Sequence, residues 1–392
     1  MAWGPFFGSG SSLRDGLDVV ASAHRAEVRS SQHAGTMSIR YIGSKGRLSS
    51  EILDLAGPPS RDGRFVDAFA GTGSVSREAA HRGWAVRAND LLPSAAALTR
   101  AQLTASDDVP FDTFGGYVAA LRALSAAEPR VGFFAREYAP FGRQATERRY
   151  FTPENARRLD GMRHQLQLWI ARGMITDIER TLLLGDLIQA TNAVANTAGT
   201  YGCFLREYAP NALRPVELNP RELLPARVPV DVHIGDAAMV PVAPSDVVYL
   251  DPPYTKRQYA AYYHILETLV AGDEPEVEGV TGLRPWRDRA SAFCYKRRAL
   301  DAMTSLIRRL PSARVLVSYS DDAHIELAEL RGALSRLGHV EVHSLGKIRR
   351  YTPNAASRAN GEEVGEVLIE LLRPGLAASA PGRFVAHAME VA

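Results

Sequence analysis

The chain has 392 residues, and at roughly 100–200 residues per domain that is room for two domains, or for one domain carrying a large insertion. Its 46% hydrophobic and 23% charged residues are ordinary for a globular protein, and no apolar run approaches the ~20 residues that cross a bilayer, so a membrane partner is excluded. A net charge of +2 does not by itself announce nucleic acid, and two cysteines in unrelated contexts, Cys203 and Cys294, argue against a disulfide framework or a structural metal.

Residues 1–36 are rich in Ser, Gly and Ala with weak periodicity and read as a flexible leader without the pattern of a secretion signal, so the cytoplasm is the expected location. Order is expected from Met37 and the segment RYIGSK at 40–45. RFVDAF at 64–69 reads as a strand that opens into Gly71 and Gly73, followed by a helix, VSREAAHRG, and a second strand, WAVRAND at 84–90. These residues, 37–104, form the first part of a catalytic domain. From 105 to 225 the pattern is mostly helical and basic, with Pro153 helping to start a long helix, and this stretch reads as an insertion.

The α/β pattern resumes over 226–372. DVHIGD at 231–236, DVVYLD at 246–251 and ARVLVSYS at 313–320 are strand-like, and HVEVHSLG at 339–346 with EVLIELL at 366–372 are expected to close the sheet as an antiparallel pair. Residues 373–392 read as a loose tail.

DAFAGTGSV at 67–75 puts glycines where a strand hands over to a helix, the place where a ligand can approach backbone N–H groups. A tight turn without a ligand is the plainer alternative. Asp90, nineteen residues beyond Gly71 at the end of the next strand, is placed to accept both hydroxyls of a ribose. An adenosine-bearing cofactor follows. NAD would fit the same geometry, but the full G-x-G-x-x-G is missing.

DVVYLDPPY is an apolar strand ending in Asp251. Two prolines stiffen the turn and donate no N–H, and Tyr254 offers an aromatic plate. An acid, a rigid acceptor and a plate suit a planar ring bearing an exocyclic amine. If Asp251 and the Pro252 carbonyl each accept one N–H, the amine is held and its lone pair is made available for attack on an electrophilic methyl carbon, without a metal.

The chain resembles the Dam-like DNA adenine-N6 methyltransferases, in particular the FokI-type modification methylases. The resemblance runs through RYIGSK, FAGTG at 69–73, Asn89-Asp90, RRYFTPENARR at 148–158, NTAGTYGCF at 196–204, Gly235-Asp236, DPPYTKRQYAAYYHILE at 251–267 and SYS at 318–320. It implies a Rossmann-like S-adenosylmethionine-dependent methyltransferase fold of α/β class, with a mostly helical inserted target-recognition domain. It further implies that Tyr41 and Lys45 lie against the cofactor, Lys45 meeting its methionine carboxylate, and that Phe69, Gly71 and Gly73 shape the methionine pocket. Asp90 would then hold the ribose, Asp236 would sit near the adenine, and Asp251 would border both cofactor and target base. Residues 1–36 have no counterpart in the family, which leaves Met37 as an alternative start.

A base inside a duplex must be flipped out to reach such a site, and stacking it is the role expected of Tyr254. Double-stranded DNA is therefore the expected partner, with a cognate restriction endonuclease beside it. Arg143, Arg148, Arg149, Arg157, Arg158 and Arg163 crowd the insertion, Lys256 and Arg257 follow the catalytic turn, and Lys347, Arg349, Arg350 and Tyr351 lie between the last two strands. These three clusters are expected to meet phosphates, although a solvated basic helix explains any one arginine equally well. Asn192, Asn196, Thr197, Thr200 and Tyr201 suit either DNA contact or core packing. Three rival readings remain: cytosine-N4 methylation, which usually goes with Ser in place of Asp251; glutamine or RNA methylation, which goes with Asn; and a silent DNA-binding regulator.

Overall fold

The computed structural model describes residue 43 and residues 45–141, 148–320, 323–349 and 363–377. The leader and the segment around Tyr41 lie outside the described residues.

Helix α1 (Ser49–Ala56) precedes β1 (Phe65–Asp67), α2 (Ser74–His81), β2 (Val86–Asp90) and α3 (Pro93–Gln102). Four helices follow before the next strand: α4 (Tyr117–Ser125), α5 (Phe133–Glu137), α6 (Pro153–Ala171) and α7 (Asp177–Ala193). The remainder runs β3 (Val230–Ile234), β4 (Val247–Leu250), α8 (Tyr259–Tyr262), α9 (His264–Ala271), α10 (Lys296–Arg309), β5 (Arg314–Ser320), α11 (Leu327–Leu334), β6 (His339–Arg349), β7 (Glu363–Leu372) and α12 (Pro374–Ala377).

The strands form one seven-stranded sheet in the order β3-β2-β1-β4-β5-β7-β6. All neighbours are parallel except β7, which is inserted antiparallel between β5 and β6. The expected antiparallel closure is present, with the added feature that β7 pairs on both sides. Side chains alternate between the two faces, as the pleat requires. Phe65, Val247, Tyr249, Leu316 and Leu368 point into a cluster with residues of α1 and α2, while Val66, Val248, Leu250, Val315, Val317 and Ile369 point into one with α10 and α11. Burial on both faces is why these strands read as continuous apolar runs.

Helices α4 to α7 bury their apolar faces in a third cluster that also contains Leu98 and Ala101 of α3 and Ile265, Leu266 and Leu269 of α9. Helix α6 starts at Pro153 as expected, and α7 carries a capping signal of its own. Thr152 caps α6 by accepting from Asn155 N at 3.2 Å, with Pro153 in the first turn, and Thr176 and Glu179 form a reciprocal capping box on α7.

One boundary differs from expectation. Arg373, the first residue of the supposed loose tail, is buried and donates to the carbonyls of Ile307 and Ser312, so the chain is pinned there and turns into α12. Among the described residues, no helix is long and apolar enough to cross a membrane.

Candidate active site at the carboxyl edge of the sheet

Chain order reverses between β1 and β4. From β1 the chain moves outward to β2 and β3, and from β4 it moves the other way to β5. Open parallel sheets place their ligand crevice at such a switch point, beyond the carboxyl ends of the strands. Phe69 and Gly71 after β1, Asp90 at the end of β2, Asp236 after β3 and Asp251 after β4 are all on this edge.

Gly71 (φ +54°) and Gly73 (φ +78°) both adopt left-handed backbone, which only glycine takes without strain. At Gly73 a Cβ would also lie 2.8 Å from the Thr99 Cα, so the missing side chain answers to packing against α3. The Gly71 N–H donates to Asp90 Oδ2 at 2.9 Å, and Leu92 N donates to Oδ1 at 2.9 Å. Backbone N–H groups thus hold the Asp90 carboxylate through both of its oxygens. Burial pushes the Asp90 carboxyl up to about 6. The Asn89 amide bridges the carbonyls of Ala68 and Gly235, both at 3.1 Å, and Gly235 N donates to Asp90 O at 3.0 Å. This tie sets Asp236 beside Asp90. Asp236 is exposed, with one carboxylate oxygen capping the short turn at Ala238. Phe69, half-buried, meets Phe293 edge-on at 5.3 Å.

Asp251 is nearly enclosed, its side chain 13% exposed. Burial raises its pKa, and the Lys45 ammonium at 3.7 Å opposes that rise. Lys45 is itself buried, and Glu366 at 2.9 Å is its nearer partner. The Tyr254 hydroxyl joins the two halves of the cluster, accepting from Lys45 Nζ at 2.7 Å and donating to Asp251 Oδ1. The Tyr254 ring carries the Lys45 ammonium 5.2 Å from its centroid and meets Tyr319 of the SYS segment edge-on at 5.5 Å. The turn is further held by His324, whose N–H donates to the Tyr254 carbonyl at 3.0 Å. No hydrogen bond to the Pro252 carbonyl is formed among the described residues, so that acceptor is available.

Two charged residues of this cluster escape a reading of the sequence. Glu366 faces Ser320 across the β5–β7 register, which brings it to the end of β4. Its signal is weak, because Glu363 and Glu370 are acids of the same strand. Asp67, at the end of β1, is 1% exposed and accepts from Ser76 Oγ at 2.7 Å. Burial, reinforced by the Asp251 and Asp90 charges, pushes its carboxyl up to about 7. From about pH 4, the ordinary carboxylate value, to about pH 7 the folded chain keeps a proton that the unfolded chain has released, so stability falls with rising pH across that window. Asp67→Asn should flatten this decline in a series of thermal midpoints; an unchanged slope would mean that Asp67 does not carry it.

The basic clusters fare unequally. Arg148 is corrected: it is 8% exposed, pairs with Glu137 at 2.8 Å and donates to the carbonyls of Gly279 and Val280, so it braces the interior instead of meeting phosphate. Arg163 is buried likewise against Phe134 and the Asp273 carbonyl. Arg149 is half-buried and donates to the Arg206 carbonyl at 2.8 Å, whereas Lys256 and Arg257 are exposed beside the catalytic turn. Arg349 ends β6, and Arg350, Tyr351, Arg143 and Tyr41 lie outside the described residues. Packing, not DNA contact, explains Asn192, Asn196 and Tyr201. All three are buried, and Asn196 ties Arg149, Leu205 and Ala209 together through its side chain.

A central parallel sheet with one reversed strand beside the edge, and acids at the ends of β1, β2 and β4, is the arrangement of the Rossmann-like methyltransferase fold. The family model of D12 class N6 adenine-specific DNA methyltransferases matches residues 41–325, and the chain belongs to that family. It is 32% identical to the type II methyltransferase M.FokI of Planomicrobium okeanokoites over 80% of this chain and 50% of that one. It is 32% identical to the modification methylase LlaI of Lactococcus lactis subsp. lactis over 84% and 54%, and 31% identical to the type II methyltransferase M.NlaIII of Neisseria lactamica over 78% and 90%. The chain thus spans about half the length of the first two relatives and nine-tenths of the third. Among solved structures, an rRNA methyltransferase, aviRa, from Streptomyces viridochromogenes aligns over 88% of this chain and 92% of its own at 13% identity, with a TM-score of 0.28.

Proposed function

We propose that the chain is a site-specific DNA adenine-N6 methyltransferase that takes its methyl group from S-adenosylmethionine and acts on an adenine flipped out of duplex DNA. The observation that carries this reading is the pairing of a buried Asp251 carboxylate with an unengaged Pro252 carbonyl at the switch point of the sheet. An exocyclic amine offers two N–H donors, and these are two acceptors on one rigid turn.

The chemistry of the donor set fits the cofactor. Asp90 supplies a fixed carboxylate for a diol, Phe69 supplies an aromatic wall, and Asp236 supplies an exposed acceptor on the same edge of the sheet. S-adenosylmethionine supplies an electrophilic methyl on a positively charged sulfur. Asp251 and Pro252 orient the amine and make its lone pair available, and the carboxylate offsets the positive charge that grows on nitrogen. Lys45, engaged by Glu366 and Tyr254, serves the carboxylate cluster; a role toward the methionine carboxylate would require it to leave partners at 2.9 and 2.7 Å.

The Tyr254 hydroxyl bonds Asp251 Oδ1, the amine takes a remaining lone pair of the carboxylate, and the Tyr254 ring stacks on the base. Tyr254→Phe keeps the plate and is expected to stay within about tenfold of wild-type kcat/KM, whereas Tyr254→Ala loses about 5- to 150-fold, the worth of one stacked base. Equal losses in both would assign the role to the hydroxyl.

Helices α4 to α7 form the target-recognition region, and the enzyme works in the cytoplasm as the modification partner of a restriction endonuclease. Methyl transfer from the labelled cofactor to duplex DNA, followed by nucleoside analysis, tests the reading. N6-methyladenine is the expected product. N4-methylcytosine, or no transfer by folded protein, overturns it.

A further inference from the structure

The segment 286–298, which carries no expectation from sequence, packs directly on the catalytic turn. Gln258 and Ser291 exchange hydrogen bonds, Ser291 N donating to Gln258 Oε1 at 2.8 Å and Gln258 Nε2 to Ser291 O at 3.2 Å. The Cys294 thiol donates to the Arg257 carbonyl at 3.1 Å, and Arg289 anchors the segment to Glu267 of α9 at 2.6 Å. Phe293, Ala299 and Met303 line a small cavity with Pro252, Pro253 and Tyr254, so the inner side of α10 is fixed against the turn.

What this packing leaves outside is basic. Arg287, Lys296, Arg297 and Arg298 are exposed, as are Lys256 and Arg257 on the segment that Gln258 and Cys294 tie to them. None of these cations pairs with a described carboxylate; Arg298 lies only over the exposed Tyr295 ring, at 5.4 Å. The cations do not serve the helix. Lys296, Arg297 and Arg298 are the first residues of α10, where positive charge opposes the helix dipole and acids are preferred. Unpaired cations gathered on one face beside the catalytic turn are suited to an external polyanion.

We propose that this face, Arg287 and Lys296–Arg298 joined to Lys256 and Arg257, grips the phosphate backbone of the duplex next to the flipped base. The inference rests on the reading of the chain as a DNA methylase and deepens it by naming where the duplex is held. Contacts to phosphate carry no sequence information, so the face contributes affinity and register while base edges are read elsewhere. It also replaces Arg148, which the fold has turned inward.

The test is Lys296→Glu with Arg297→Glu in the full chain, measured by fluorescence anisotropy on a mixed-sequence duplex at about 50 to 200 mM salt. Two acids at the start of α10 suit its dipole, so the thermal midpoint is expected to hold or rise. Duplex affinity is expected to fall at least about tenfold, and the slope of log affinity against log salt to flatten by about two, one for each phosphate no longer neutralised. Arg297→Lys with Arg298→Lys keeps the charge and should keep the slope. A wild type that binds DNA, with a folded Glu variant of unchanged affinity and slope, overturns this inference and leaves the enzyme reading standing. A wild type that neither binds nor methylates DNA overturns both.

Discussion

Replacing Asp251 with alanine is expected to cut methyl transfer by about a hundred- to a thousandfold, the scale of losing a preorganised polar partner of the reacting group in an enclosed site. Duplex binding should persist, because the residues proposed to meet phosphate are exposed and Asp251 is enclosed. The fold should persist as well. Lys45 does not lose its only partner: Glu366, at 2.9 Å, is nearer to it than Asp251 at 3.7 Å. Transfer rates at saturating DNA, alongside a binding isotherm, check both halves. Turnover at the wild-type rate would mean that the reacting carboxylate is another one, and Asp67 or Glu366 would be next in line.

Lys45→Met is expected to act on stability and chemistry together. It leaves two carboxylates, Asp251 and Glu366, buried near each other without their shared cation. Removing one member of a buried ion pair costs about 3–5 kcal/mol, which a denaturant midpoint will show. The pH dependence of transfer should move in a defined direction. Burial already holds Asp251 above the ordinary carboxylate range, and Lys45 is the largest influence pulling it back down. Without Lys45 the carboxyl titrates at higher pH, so the acid limb of the rate profile shifts upward and activity is partly recovered in alkaline solution. A destabilised variant whose acid limb has not moved would show that Lys45 supports the fold without tuning Asp251.

The parts of this site that are legible in sequence are those set by local rules. A β-branched run ending in Asp-Pro-Pro fixes both the strand and the residue at its carboxyl end, and Thr152-Pro153 marks the start of α6 because capping and φ are local properties. What the sequence hides is direction. Arg148 and Arg149 are adjacent in one run, yet the first is drawn inward by Glu137 and two loop carbonyls while the second remains half-buried. Composition records the charge and says nothing of which way it points. Glu366 is hidden for another reason. It lies 321 residues from Lys45, and only the insertion of β7 between β5 and β6 brings the two together. The basic start of α10 is readable in principle, since Lys-Arg-Arg at a helix N-terminus contradicts the usual charge preference. Its nearness to Asp251 is not. That depends on Cys294 and Ser291 docking on residues more than thirty positions earlier.

Single-molecule sequencing of DNA from cells expressing the wild-type chain or its Asp251→Ala variant tests the central claim most directly. The account predicts N6-methyladenine at one recurring motif with the wild type and none with the variant. Modification of cytosine, or adenine methylation that survives the loss of Asp251, would contradict it.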